Sequence, residues 1–109
     1  MNSSQKDEFP KLSRKEIFIL EMLLEKGEMF GLEMVEASGG GLKRGTIYVT
    51  LQRMTDKGYV ESREEPRKLP EIGIPRRKYF ASGLGHRAYH ANLKALEFFN
   101  ADLVLRESN

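Results

Sequence analysis

Ser38-Gly39-Gly40-Gly41 constrains the fold of this chain more than any other stretch. Consecutive glycines have no side chain to pack and lose the most backbone freedom in a regular element, so no helix or strand crosses them. Each side carries a helical pattern. Upstream, Phe30 to Ala37 offers Leu32, Val35 and Met34 as inward positions. Downstream, Arg44 to Lys57 sets Ile47, Leu51 and Met54 at i, i+4 and i+7, one buried stripe, and Gly58 ends it. Two short helices around a tight turn form a helix-turn-helix unit.

The flanking segments extend this unit. Ser13-Arg14-Lys15-Glu16 fits a capping box, so a helix starts there and runs to Lys26, with Gly27 as its αL stop. Its apolar residues Ile17, Phe18, Ile19, Leu20, Met22, Leu23 and Leu24 cover more than one stripe. A helix apolar nearly all round is buried on both sides. In a chain of 109 residues, one of those sides is expected to meet a partner subunit. Tyr59 to Arg63 and Arg77 to Ala81 read as paired strands. Pro66, Pro70 and Pro75 between them predict a long, stiffened loop over 66–75 instead of a two-residue turn. A last helix fits Leu84 to Leu105, with Tyr89, Leu93, Leu96 and Leu103 on its apolar side, joined by Phe98 or Phe99.

The expected fold is mostly α with a two-stranded β wing: a winged helix-turn-helix whose N- and C-terminal helices form a dimer interface. Residues 1–12 read as a polar lead, 13–83 as the winged-helix domain and 84–109 as a C-terminal dimerisation helix. The interface is expected at Ile17, Phe18, Leu20, Met22, Tyr89, Leu93, Leu96, Phe99 and Leu103.

Charge points to the partner. The net charge is only +2, but residues 42–87 hold 11 Lys and Arg against 5 Asp and Glu. A basic middle between acidic ends is the footprint of a face that meets a polyanion. A helix fits the major groove, where each base pair shows a distinct donor and acceptor pattern, and a basic hairpin suits the flanking phosphates. Lys43 and Arg44 precede the third helix, where a cation opposes the helix dipole; contact with phosphate or guanine would offset that cost, the alternative being that both point to water and are tolerated. On the helix, Thr46 and Tyr48 can donate to phosphates, although Tyr48 could instead pack against the wing. Thr50 can touch a thymine methyl, and Gln52 and Arg53 can read adenine and guanine edges. Arg76, Arg77 and Lys78, with Arg63, Arg67 and Lys68, arm the wing. Not all of them can face DNA, and Arg67 and Lys68 can instead pair with Glu64, Glu65 or Glu71.

Phe30-Gly31-Leu32, Gly45-Thr46-Ile47-Tyr48, Leu51, Gly58-Tyr59-Val60 and Gly73-Ile74-Pro75-Arg76-Arg77-Lys78-Tyr79-Phe80 together resemble the PadR family of bacterial transcriptional regulators. That family shows an aromatic-Gly-aromatic start to the second helix, a Gly-Thr-(Leu/Ile)-Tyr start to the recognition helix and a Gly-x-x-Arg-Lys-x-Tyr-type wing strand. The resemblance covers residues 13–90. It implies a homodimeric repressor of the subgroup with one short C-terminal helix, bound to double-stranded DNA at a pseudo-palindromic operator. It leaves room for a small aromatic effector between the dimer halves, near Phe18, Met22, Tyr89 and Phe98 or Phe99. Two departures stand out. Lys43-Arg44 occupies the place of the family's Ser or Asn cap, and Ala81-Ser82-Gly83 stands where Leu-Thr is usual.

Other classes find little support. The chain has no cysteine, no Gly-x-Ser-x-Gly elbow and no phosphate-binding Gly-x-x-x-x-Gly-Lys loop, so no enzyme and no cofactor are expected. His86 and His90 are four apart, but no third metal ligand is placed with them, and no metal site is expected. Ile17 to Leu20 is the longest apolar run, far below the ~20 residues of a membrane span. Met1 to Glu8 lacks an apolar signal region, and a cytoplasmic protein is expected. A rival class is a protein-interaction adaptor docking through Leu69, Ile72 and Ile74 of the wing loop. An RNA-directed reading has only Tyr79 and Phe80 as stacking groups.

Overall fold

The computed structural model describes residues 11–66 and 76–107, with backbone alone for 101–107. Arg67, Lys68, Leu69, Pro70, Ile72, Ile74 and Pro75, and the side chain of Leu103, therefore lie outside the described residues. So does most of the expected polar lead.

The elements are α1 (Arg14–Lys26), β1 (Met29–Phe30), α2 (Gly31–Ala37), α3 (Ile47–Asp56), β2 (Val60–Glu64), β3 (Arg77–Ala81) and α4 (Gly83–Glu107). The capping box forms as expected: the Ser13 hydroxyl accepts from the Glu16 N–H at 3.2 Å, and the Glu16 carboxylate accepts from the Ser13 N–H at 2.8 Å. Gly27 ends α1 with φ +85°, but its ψ of −132° is not the αL value expected. Leu12 packs against the core and its N–H donates to Asn92 Oδ1 at 3.4 Å, so this residue of the segment read as a lead belongs to the packed domain.

The sheet has three strands, not two. Its order is β1-β3-β2, all antiparallel, with Met29 facing Tyr79 and Val60 facing Ala81. β1 is two residues long, too short for any alternation to show in sequence. It ties the start of α2 directly to the wing.

One core joins α1 to the sheet: Ile19, Leu20, Met22 and Leu23 from α1, Met29, Met34 and Leu42, the stripe Ile47, Leu51 and Met54 of α3, and Val60 and Tyr79 from the sheet, with Tyr89 of α4 packed against it. Two expectations change here. Met34 is fully buried while Leu32 is 40% exposed, the reverse of the expected emphasis. Leu20 and Met22, placed at a dimer seam by sequence, are 0% and 5% exposed within the single chain. Neither offers a surface to a second subunit.

The turn between α2 and α3 is held by Ser38. Its hydroxyl donates to the Val35 carbonyl at 2.7 Å and accepts from the Leu42 N–H at 2.9 Å. Gly39 and Gly40 take φ +60° and +99°, which β-carbon-bearing residues rarely adopt. At the other end of the domain, Ser82 caps α4 by accepting the Gly85 N–H at 2.9 Å and donating to the Gly58 carbonyl. A Cβ at Gly85 would lie 2.0 Å from the Tyr59 carbonyl oxygen, so α4 crosses the α3–β2 turn at a distance only glycine allows.

Candidate nucleic-acid interface

α3 begins three residues later than its sequence pattern suggests, at Ile47. Lys43 to Thr46 form a lead-in turn, with the N–H groups of Thr46 and Ile47 both donating to the Lys43 carbonyl at 3.2 and 3.0 Å. Thr46 is the N-cap but makes no side-chain cap bond. Lys43 and Arg44 therefore project from the turn ahead of the helix, both exposed, as is Thr46.

The residues along α3 divide sharply. Ile47, Leu51 and Met54 turn into the core, and Tyr48, Val49, Gln52 and Arg53 are exposed. Several polar candidates already have partners. The Thr50 hydroxyl donates to the Thr46 carbonyl at 3.2 Å, and the Gln52 amide donates to Asp56 Oδ1 at 3.0 Å. The Tyr48 ring lies so close over Gly31 that a Cβ there would come within 2.7 Å of it. Tyr48 thus has its seat on the start of α2, yet stays 49% exposed. Val49, absent from the sequence candidates, is 55% exposed. At 100° per residue it falls almost opposite the buried stripe, which is the signal that could have singled it out.

The wing contributes cations of different standing. The Arg63 guanidinium donates to Glu28 at 2.8 Å and to Glu65 at 3.3 Å, so its charge is already answered. Arg77 Nη1 donates to Ser62 Oγ at 3.3 Å. Arg76 lies over the Phe30 ring, its Cζ 3.8 Å from the ring centre, and Lys78 Nζ is 5.3 Å from the same centre. Phe30 is also the N-cap residue of α2, and its N–H donates to the Glu33 carboxylate at 2.7 Å. The adjacent residues Phe30 and Gly31 thus touch the wing cations and α3 respectively.

The remaining candidates fall on α1 and α4. Leu93, Leu96, Phe98 and Phe99 are 39%, 55%, 79% and 58% exposed. Ile17, Phe18 and Tyr89 are half-buried, with Phe18 packed onto Gly41. Burial pushes the Tyr89 phenol above its ordinary value, helped by Glu21 and Glu25 of α1. The His86 and His90 ring centres lie 4.5 Å apart with the rings tilted by 51°, and among the described residues no three acidic, His or Cys side chains gather to hold a metal. An open groove of about 460 Å3 is lined by Lys26, Glu28, Met29, Glu33, Glu36 and Ala37, and none of these belongs to the aromatic set considered for an effector. No described helix is long and apolar enough to cross a membrane.

Residues 19–91 match the transcriptional regulator PadR-like family. The chain belongs to that family. Solved PadR structures share its fold. A PadR family transcription regulator from Clostridium difficile is 24% identical, with 87% of this chain and 97% of that one covered and a TM-score of 0.62. A PadR family transcriptional regulator from Eggerthella lenta is 21% identical over 98% and 93%, with a TM-score of 0.66. Bacillus subtilis PadR, solved in complex with operator DNA, is 24% identical with a TM-score of 0.64; 76% of this chain and 48% of that one are covered. The chain therefore matches about half the length of the Bacillus protein. A comparison with curated proteins gives no match.

Proposed function

We propose that this PadR-family chain is a sequence-specific DNA-binding repressor that acts as a homodimer in the cytoplasm. The observation that carries the reading is the division of α3: its apolar stripe is locked into the core, while the opposite face and the Lys43-Arg44 lead-in are exposed. That face suits the major groove, and Arg76, Arg77 and Lys78 suit the flanking phosphates. The Bacillus relative's complex with operator DNA supports the same mode.

Residues 13–83 form the DNA-binding part and 84–109 the dimerisation helix. Leu93, Leu96 and Phe99, with Ile17, Phe18, Tyr89 and Leu103, supply the seam. Two recognition helices then meet half-sites about one helical turn apart, ~34–36 Å, or a multiple of it. Repression is steric and uses no catalytic group. A small aromatic effector would relieve it by favouring a different spacing of the two helices.

Fluorescence anisotropy with duplex DNA from upstream of the protein's own coding region tests the reading. Unrelated DNA serves as competitor, beside a Lys43→Ala/Arg44→Ala double variant. Tight binding that resists the competitor and is lost by the variant is expected. Weak binding that unrelated DNA matches, and the variant leaves unchanged, would sink it.

A further inference from the structure

We propose that Phe30 is a positioning residue that presents the wing cations to DNA in fixed register with the recognition helix. The proposal rests on the DNA-binding reading and adds to it a residue with no polar group of its own. Phe30 is pinned from three sides. It pairs with Lys78 across β1 and β3, its N–H is held by Glu33, and its ring lies under Arg76. The next residue, Gly31, carries the Tyr48 ring of α3. A shift of the wing relative to Phe30 is therefore a shift relative to α3.

The contact fits phosphate binding. A cation over a ring face is attracted by the ring quadrupole. A guanidinium held over a ring still carries N–H donors that can meet a phosphate. Two long side chains that would otherwise sample many rotamers are restrained before DNA arrives, and such preorganisation strengthens binding without adding a contact. The ring therefore sets how well the cations bind, and the cations alone set how many phosphates are met.

These roles separate in one set of titrations on the full chain, using the upstream duplex at several salt concentrations. Phe30→Leu, and Phe30→Met as a second ring-free variant with a longer, unbranched side chain, should bind about three- to five-fold more weakly. Both should keep the native salt slope. Phe30→Tyr should bind as the native protein does. Arg76→Ala should weaken binding and also flatten the slope by about one phosphate's worth. Added to Arg76→Ala, Phe30→Leu should cost less than two-fold more. In the DNA-free protein, the Arg76 side-chain protons should show an upfield ring-current shift by NMR that Phe30→Leu and Phe30→Met abolish.

Native binding by both ring-free variants overturns the proposal. So do effects of Phe30→Leu and Arg76→Ala that multiply independently, or a salt slope changed by the loss of the ring alone. If the unaltered protein binds the duplex no better than competitor DNA while the Arg76 shift is present, the DNA-binding reading has failed and the positioning role falls with it.

Discussion

Glu16 shows how one side chain links two helices. Its carboxylate accepts the Ser13 N–H at the start of α1 and Lys57 Nζ at the end of α3, the latter at 2.9 Å. Burial pushes its pKa up, but the Ser13 bond and the Lys57 hydrogen bond and charge outweigh that, leaving it below the ordinary 4.5. A depressed carboxylate adds stability that is complete above its unfolded-state pKa and is lost as pH falls through the folded value. Glu16→Gln should cost about 1–3 kcal/mol at neutral pH, and the gap from the native protein should close well below pH 4.5. Urea unfolding at pH 7 and pH 3 measures both; an unchanged gap would mean that the charge contributes nothing. Val49 carries a prediction about specificity. Its exposed methyl groups sit among polar side chains that are partly engaged within the helix, and apolar side chains read thymine through its 5-methyl group. Selection from a randomised duplex library should therefore yield a thymine preference that weakens with Val49→Ala or with deoxyuridine in place of thymidine. The same selected sequence from both proteins would remove Val49 from readout.

At the scale of elements, α4 does two jobs along its length. Its first turns are locked by Ser82 and by the close pass of Gly85 over Tyr59, and its later turns carry Leu96, Phe98 and Phe99 outward. Gly85→Ala should be strongly destabilising, by about 2 kcal/mol or more, because backbone and not a flexible side chain stands in the way. Thermal unfolding reads this directly, and an unchanged midpoint would contradict the close pass. The sequence made some elements plain for physical reasons. The α1 capping box and the Ile47-Leu51-Met54 stripe are local patterns, and β3 runs over Arg77–Ala81 as its composition suggests. What stayed hidden depends on distant neighbours. β1 exists only because β3 pairs with it. α2 is seven residues long, too short for its pattern to fix its rotation; in the fold Tyr48 lies over Gly31, Met34 is turned in and Leu32 out. Apolarity in α1 shows that Leu20 and Met22 are covered, but not whether their own chain or a second one covers them. At the interface, sequence supplied the exposed cations and missed Phe30, whose role appears only once β1 sets its ring beside the wing.

For the whole molecule, specificity comes from geometry more than from charge. The net charge of +2 gives little long-range pull, and the excess of Lys and Arg sits in residues 42–87. Phosphate contacts made there should give a log–log salt slope of about −0.9 per contact for any duplex. On the proposed reading, sequence choice instead requires two copies of α3 held at a fixed separation, and α4 sets that separation. Leu96→Glu/Phe99→Glu alters side chains exposed in the single chain, so each protomer should keep its fold while the assembly becomes monomeric in sedimentation. The two proteins should then differ on one pair of DNAs. Inserting about five base pairs between the half-sites turns one away from the other by about half a helical turn. The native protein should lose most of its affinity for the lengthened operator. The monomeric variant, already weak, should bind both DNAs alike. If the native protein tolerates the insertion, each recognition helix binds on its own, and the exposed face of α4 does not set the spacing of the two half-sites.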